Sequence, residues 1–284
     1  IEEMDIDDED SVSLEDKVER AEEKELNLAV IRTPKISNFT DFDSLESEPD
    51  VALRYVHEAA ALGTPDLILL PGSKNTSEDM RWLEKTGLAS KIREAHEKGT
   101  AVIGICGGYQ MLGKRILDPH HTESSFDSTD GLGLLGLQTT FHENKLTSQV
   151  IASAKELPFL GKRISVDDIK GYEIHMGTTE FLCDRDSHPL CVKERRGEVC
   201  EAAEGTVNEE ENIFGTYIHG FFDHDGLRRA ILNALREKKG LPALAVTRNR
   251  YREKEESYDR LAAVVRAHLD MDKLREIMGE KVGC

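Results

Sequence analysis

The chain has 284 residues and a formal net charge of −18, from 37 Lys and Arg against 55 Asp and Glu. This excess of negative charge argues against binding to nucleic acid or to an anionic membrane surface, because both repel it. No apolar run approaches the roughly 20 residues that a membrane-spanning helix needs. The five cysteines are widely spaced and show no CxxC pair, so we expect no disulfide framework, no bound metal and a cytoplasmic location.

Acidic residues are concentrated at the start of the chain. Residues 1–25 contain thirteen Asp and Glu and three Lys and Arg. They hold no Gly or Pro and few large apolar side chains, which is typical of a solvated connector. We interpret residues 1–25 as an acidic linker cut from a longer polypeptide. A flexible acidic tail with no partner domain is the alternative.

The remainder of the chain alternates between strand and helix patterns. Short apolar runs predict buried strands at Leu26–Ile31, Val51–Val56, Asp66–Leu70 and Ala101–Ile105. Helical spacing is found at Ser77–Trp82, Leu88–Lys98, Gly226–Lys238 and Glu255–Met278. This alternation predicts an α/β fold with a doubly wound, mostly parallel sheet. Weaker signals predict a smaller mixed β insertion at 131–214, a late strand at 212–219 and an irregular connector at 241–250.

One segment carries a recognisable chemical pattern, Gly104-Ile105-Cys106-Gly107-Gly108. A nucleophile between small residues, placed between a strand and a helix, is typical of a nucleophile elbow, because bulk beside the tight turn would collide. The Cys106 sulfur would project above the carboxyl edge of the sheet, where the helix dipole favours its thiolate. The Gly107 N–H would face a developing oxyanion.

Cys106 could instead be a small core residue packed after a strand, since free cysteine is often buried. Glycines at both 104 and 108 favour the catalytic interpretation, because a packing cysteine needs neither. We expect a β-branched residue at position 108 to impair activity without unfolding the domain.

A thiol nucleophile needs a partner that moves protons, and two of the ten histidines are favoured. His219 ends the late strand and precedes Gly220, so it could reach the sheet edge that carries Cys106. His175 lies between two glycines in GYEIHMG. The residues alone favour His219 and leave both histidines open.

Four segments in order, LILLPGSKNT, GICGGYQMLG, GYEIHMG and YIHGFF, resemble the glutamine amidotransferase domains of the cobyric acid synthase family. The resemblance covers Leu26 to Lys239. It implies a class I, flavodoxin-like glutamine amidotransferase domain there, followed by a connector and a C-terminal helix over residues 240–284. GICGGYQ alone indicates the broad glutaminase class, whereas PGSKNT and GYEIHMG narrow it to the cobyrinate and cobyrate amidases. The related cobyrinate a,c-diamide synthases are the alternative family.

The resemblance implies that Cys106 is the nucleophile and His219 the catalytic histidine. Elsewhere in the class, a glutamate two residues after the histidine completes a triad, and here that position is Phe221. Another carboxylate therefore has to orient the histidine. The candidates are Asp223, Asp225, Glu173 and a carboxylate of a separate synthetase domain.

The resemblance also implies how the amide of glutamine is held. The oxyanion donors would be the backbone N–H groups of Gly72 and Gly107. Gly72 follows a proline that ends a strand, and glycine adopts backbone angles closed to other residues. Gln110, Tyr172 and His175 would line the glutamine pocket.

The implied reaction is hydrolysis of glutamine through a Cys106 thioester. Ammonia would pass to an N-terminal synthetase domain of the same polypeptide. Residues 1–25 resemble the tail of such a domain and the linker after it. That domain would use ATP and Mg to amidate a corrinoid substrate. This chain contains no GxxxxGK[ST], so we expect no cofactor within it. Two functions from other classes stay open, a flavodoxin-like thiol hydrolase and a decayed, non-catalytic binding domain.

Overall fold

A computed structural model of the chain describes residues 24–182, 187–246 and 248–279. These residues form two compact units, 24–246 and 248–279. The acidic linker predicted for residues 1–25 lies almost wholly outside the described residues. None of the helices within the described ranges is both long enough and apolar enough to span a bilayer.

The secondary structure of the first unit is mostly strand. Its strands are β1 (Leu26–Ile31), β2 (Ile36–Ser37), β3 (Val51–Val56), β4 (Leu67–Leu70), β5 (Gly72–Ser73), β6 (Ala101–Ile105), β7 (Arg115–Leu117), β8 (Ser128–Asp130), β9 (Leu137–Phe159), β10 (Lys162–Phe181), β11 (Leu190–Arg195), β12 (Glu198–Glu204), β13 (Thr206–Val207), β14 (Ile213–Thr216) and β15 (Ile218–His219). Its helices are α1 (Asp43–Glu46), α2 (Thr76–Thr86), α3 (Leu88–Glu97), α4 (Gly107–Leu112) and α5 (Asp225–Lys238). Single turns of 3₁₀ helix lie at Phe39–Phe42, Ala59–Ala61 and Phe221–Asp223.

The predicted doubly wound, mostly parallel sheet is confirmed. Its strand order is β13-β14-β6-β4-β1-β3, with β13 antiparallel at one edge and the other pairs parallel. Alternate residues of β1 enter two separate cores. Leu28 packs in the core that includes Leu227 of α5, whereas Ile31 packs in the core that includes Met80 of α2. Both faces of the sheet are therefore covered, which explains the continuous apolar runs of its strands.

The mixed β insertion is a second sheet with strand order β12-β11-β9-β10-β15, to which β7 and β8 are attached. Its centre is a long hairpin, since β9 spans 23 residues and β10 spans 20. The strands are longer than the weak sequence signals suggested. Register shifts interrupt the β9–β10 pairing between Ile164 and Ile169 and again near Met176, and such irregularities break the simple alternation of side chains. Tyr172 of β10 pairs with His219 of β15, which brings GYEIHMG to the late strand.

The second unit is helical and differs from its prediction. A single helix was expected at Glu255–Met278, but two are present, α6 (Arg250–His268) and α7 (Met271–Ile277). The break falls at Asp270, whose side chain accepts a hydrogen bond from the Lys273 N–H at 3.1 Å and caps α7. Residues 241–246 of the predicted connector contain no helix or strand.

Candidate active site

Cys106 occupies the turn between β6 and α4 with a backbone φ of 53°. A non-glycine residue in this region carries steric strain, which is typical of a functional turn. The neighbouring glycines are required by close backbone contacts. A Cβ on Gly104 would lie 2.6 Å from the Gly108 carbonyl group, and one on Gly108 would lie 2.0 Å from the Leu70 oxygen. The segment therefore has the geometry expected of a nucleophile elbow.

The Cys106 side chain lies on the wall of a cavity of about 440 Å³, which we call the first cavity. Its thiol donates a hydrogen bond to the Ile174 carbonyl of β10 at 3.4 Å. The residue is 8% exposed. A sulfur that borders a cavity is accessible to a small molecule, whereas a core cysteine is not.

His219 is completely buried and is held by a carboxylate that the sequence analysis did not consider. Its Nδ1 lies 2.7 Å from Asp41 Oδ2. The backbone N–H of Gly220 donates to Asp41 Oδ1 at 2.8 Å, so both carboxylate oxygens are used. Asp41 is 4% exposed and lies on the 3₁₀ turn Phe39–Phe42. Asp41 therefore orients His219.

The sequence-based prediction of which carboxylate orients His219 is wrong. The three candidate carboxylates are engaged elsewhere, Asp223 with Ser44, Asp225 with Arg228 and Glu173 with Arg195. A carboxylate from a separate synthetase domain is not needed either, because Asp41 already occupies the position at His219 Nδ1.

The electrostatics of His219 favour its charged form. Burial lowers the pKa of the imidazole, but the charge and hydrogen bond of Asp41, together with Cys106, raise this pKa to about 10. His219 is therefore an imidazolium at neutral pH. Its Nε2 is buried and has no hydrogen-bond partner among the described residues. That nitrogen can donate a proton to a group bound beside Cys106.

A short ladder fixes the backbone direction of the PGSKNT turn. β2 and β5 pair in antiparallel fashion, with Ser37 opposite Gly72. The N–H of Lys74 donates to the Lys35 carbonyl at 2.8 Å. Because hydrogen-bonded and non-bonded pairs alternate along such a ladder, Ser37 and Gly72 form the next bonded pair. The Gly72 N–H therefore points at Ser37, and the Ser73 N–H points away from β2.

The Gly72 N–H is therefore turned away from the elbow, and Ser73 rather than the predicted Gly72 is the candidate for the second backbone donor beside Gly107. The Ser73 nitrogen lies 2.8 Å from the position that a Cβ on Gly107 would occupy. Gly72 has a different role, because a Cβ at this position would lie 3.3 Å from Cε1 of His219. Its lack of a side chain leaves room for the imidazole. The Ser73 nitrogen thus lies beside Gly107 at the elbow, where an oxyanion hole would need its second donor.

Two of the three predicted glutamine-binding residues border the first cavity, Gln110 and His175. The Gln110 amide is fully engaged by protein, since its Oε1 accepts from Thr76 at 3.1 Å and its Nε2 donates to the Met176 carbonyl at 3.1 Å. Burial lowers the pKa of His175, so this imidazole is neutral at pH 7. Its ring stacks on Tyr217 with centroids 3.8 Å apart.

Tyr172 does not border the first cavity. Its ring stacks on His219 with centroids 4.9 Å apart, and its hydroxyl accepts a hydrogen bond from the Asn38 amide at 2.6 Å. Asn38 immediately precedes the 3₁₀ turn that carries Asp41. Tyr172 therefore covers the His219 imidazole and does not border the first cavity.

Glu123 borders the first cavity and was missed by the sequence analysis. One carboxylate oxygen accepts a hydrogen bond from the Thr76 N–H at 2.8 Å. Burial raises the pKa of Glu123 to about 7. Two lysines, Lys74 and Lys145, border the same cavity. The cavity thus presents both signs of charge, which suits a zwitterionic ligand such as an amino acid.

The fold and the site together define a class of protein. A doubly wound sheet that carries a cysteine elbow, beside a histidine held by a buried carboxylate, is typical of thiol-dependent amide hydrolysis. The model of the CobB/CobQ-like glutamine amidotransferase domain matches residues 27–227. The chain belongs to this family, which confirms the resemblance inferred from its four sequence segments.

The curated relatives that match this chain share one name within the family. The chain is 44% identical over 279 residues to the cobyric acid synthase of Yersinia enterocolitica, covering 97% of this chain and 54% of that protein. It is 46% identical over 279 residues to the cobyric acid synthase of Photorhabdus laumondii, with the same coverage. It is 46% identical over 273 residues to that of Moorella thermoacetica, covering 95% and 52%. The chain therefore spans about half the length of the curated relatives it matches.

Solved structures share the fold at low sequence identity. PurLQS from Thermotoga maritima aligns with a TM-score of 0.55 at 20% identity, over 74% of this chain and 99% of that one. A crystal structure titled as a glutamine amidotransferase aligns with a TM-score of 0.51 at 13% identity, over 73% and 98%. These similarities confirm the predicted fold of the class I amidotransferases.

Proposed function

We propose that this chain is the glutaminase part of a cobyric acid synthase and supplies ammonia to an ATP-dependent synthetase domain that amidates a corrinoid in cobalamin biosynthesis. The observation that carries the proposal is the buried Asp41–His219 pair beside the Cys106 elbow. The relatives that match the chain are named cobyric acid synthases, which favours this function over cobyrinate a,c-diamide synthesis. The chain covers 54% of those relatives, which leaves room in them for a synthetase domain.

The proposed chemistry proceeds through a thioester. The Cys106 thiolate attacks the side-chain carbonyl carbon of glutamine and forms a tetrahedral oxyanion. His219 donates its proton to the departing nitrogen, the C–N bond breaks, and ammonia leaves a γ-glutamyl thioester on Cys106. The neutral His219 then takes a proton from water, which attacks the thioester and releases glutamate. Asp41 holds the imidazole in one orientation and stabilises its positive form throughout.

The oxyanion would be stabilised by the backbone N–H groups of Gly107 and Ser73. Removing one such donor typically costs about 3 kcal/mol of barrier. Because both donors belong to the backbone, their positions depend on the strained elbow and on the β2–β5 ladder rather than on a side-chain conformation.

The proposed pose of glutamine follows from the charges on the first cavity. The side-chain amide lies at the elbow, near Gln110. The α-ammonium group faces the Glu123 carboxylate, and the α-carboxylate faces the positive charge of Lys74 and Lys145. This arrangement distinguishes a free amino acid from a peptide-bound glutamine, which lacks both terminal charges.

The test is to incubate the purified chain with glutamine and measure glutamate and ammonia. We expect one ammonia for each glutamate, and we expect Cys106→Ser to abolish both because a hydroxyl is a much weaker nucleophile than a thiolate. Cys191→Ser is the matched control, since Cys191 lies on β11 away from the cavity. Full activity in Cys106→Ser, or hydrolysis of peptides in place of glutamine, would contradict the proposal.

A further inference from the structure

A second cavity of about 350 Å³ adjoins the first. His175 borders both cavities. The second cavity is also bordered by Thr178, Thr179, Glu204 and Tyr217. It does not include Cys106 or His219, so it is distinct from the proposed site of glutamine hydrolysis.

His175 and its neighbours connect the linings of the two cavities. The His175 ring stacks directly on Tyr217. Gln110, which borders the first cavity, donates from Nε2 to the hydroxyl of Tyr217 at 3.3 Å. His175 Nδ1 is buried and has no hydrogen-bond partner among the described residues. His175 therefore borders both cavities with no hydrogen bond at Nδ1 to hold its ring.

The second cavity has the polarity of a passage for a small polar molecule. The Tyr217 hydroxyl bonds to Thr179, whose hydroxyl lies 3.0 Å from that of Thr139. The Glu204 carboxylate is buried beside them and accepts from the Thr216 hydroxyl at 2.7 Å. The neutral imidazole of His175 does not repel ammonium and can exchange hydrogen bonds with ammonia.

The chemistry in the first cavity requires a separate exit. When the C–N bond breaks, the γ-glutamyl group stays attached to Cys106, and its α-ammonium and α-carboxylate groups still occupy the charged side of that cavity. In the proposed pose, the nitrogen departs at the elbow end of this covalent intermediate, near Gln110, away from Glu123 and Lys145. Leaving past Glu123 and Lys145 would require it to pass the bound glutamyl group.

We propose that ammonia released at Cys106 passes His175 and Tyr217 into the second cavity, and that this cavity is its exit toward the site of amidation. The inference rests on the proposed glutaminase function. It adds the route and names His175 and Tyr217 as the residues that ammonia passes.

The test uses substitutions that fill the second cavity and leave the lining of the first cavity unchanged. Thr178→Trp places a large side chain on an exposed position of β10 that borders the second cavity only. Glu180→Trp is the matched control, because Glu180 is exposed on the same strand and borders neither cavity. Ala203→Trp, on β12, fills the second cavity from another wall.

The measurement is made in the full-length polypeptide that contains this chain together with its synthetase domain. Three quantities are compared, the glutamate formed from glutamine, the amide product formed per glutamate, and the amide product formed from added ammonium salt. We expect Thr178→Trp and Ala203→Trp to keep the first and third and to lower the second at least about twofold, while Glu180→Trp keeps all three.

Unchanged amide product per glutamate in both cavity-filling variants would overturn the proposed route while leaving the glutaminase function intact. Absence of glutamate formation in the unmodified protein would instead refute the glutaminase function itself. The two failures are therefore distinguishable. Loss of the ammonium-dependent reaction in one cavity-filling variant would reveal damage to the synthetase site. The other cavity-filling variant, Thr178→Trp or Ala203→Trp, then tests the proposed route.

Discussion

His219 Nδ1 lies 2.7 Å from Asp41 Oδ2, although 178 residues separate the two in the chain. The second Asp41 oxygen accepts the N–H of Gly220. The carboxylate therefore fixes both the ring and the backbone that carries it. This leaves Nε2 as the only nitrogen of His219 that can exchange a proton with a substrate.

Replacing this carboxylate should reduce activity without removing the nucleophile. We expect Asp41→Asn to lower kcat for glutamine hydrolysis by at least about tenfold, because an amide neither stabilises the imidazolium nor fixes its tautomer. The control is Asp223→Asn, since Asp223 bonds to Ser44 and not to His219. Equal losses in the two variants, measured by steady-state glutamate formation, would show that Asp41 has no special role.

The raised pKa of His219 predicts how stability changes with pH. The pKa is raised from 6.5 to about 10 in the folded protein, so the charged imidazole stabilises the fold fully below pH 6.5 and this contribution is lost as pH rises through about 10. We expect the difference in unfolding free energy between the unmodified chain and His219→Asn to shrink across that window. Denaturant titrations at several pH values measure it, and a constant difference would contradict the assignment.

Glu123 should control glutamine binding rather than chemistry. We expect Glu123→Gln to raise KM for glutamine by about tenfold, because the variant loses one charge-assisted hydrogen bond to the substrate. The kcat should change less than about threefold. Because the Glu123 pKa is about 7, the KM of the unmodified chain should rise as pH falls below 7 and the carboxylate becomes protonated. Glu143→Gln is the control, on an exposed β9 position outside the cavity. A pH-dependent KM that persists in Glu123→Gln would assign the titration to another group.

The elbow glycine should be a stability determinant as well as a catalytic one. A Cβ on Gly108 would lie 2.0 Å from the Leu70 carbonyl oxygen, a backbone atom that cannot move aside. We therefore expect Gly108→Ala to destabilise the fold by about 3 kcal/mol or more, which revises the expectation that bulk at 108 leaves folding intact. Gly226→Ala, where the nearest atom is 3.3 Å away on the His224 side chain, should change stability by less than about 1 kcal/mol. Similar unfolding free energies for the two variants would contradict this.

The residues alone favoured Cys106 and His219, left His175 open as well, and gave no sign of Asp41. The structure pairs β14 with β6, so the residues that follow these two strands meet at one edge of the sheet. Asp41 lies on a 3₁₀ turn in FTDFDS, which has no periodicity and no strand signal. Its partner is determined by tertiary contact, which no local pattern encodes.

Phe221 illustrates why the expected carboxylate is absent two residues after His219. Gly220 adopts a φ of 74°, which turns the chain sharply before Phe221. The Phe221 ring is completely buried and packs 5.1 Å from the Phe214 ring and 5.4 Å from the Phe222 ring. A glutamate at this position would have to ionise within an aromatic core. The carboxylate at His219 Nδ1 is instead supplied by Asp41.

The covalent intermediate on Cys106 is the central claim, and trapping it is the most direct test. Rapid acid quenching of the chain with glutamine, followed by peptide mass spectrometry, should detect a γ-glutamyl group on Cys106. The adduct should be absent in Cys106→Ser and should accumulate in Asp41→Asn if that variant slows thioester hydrolysis more than its formation. Turnover of glutamine with no adduct on Cys106, or an adduct on another cysteine, would contradict the account.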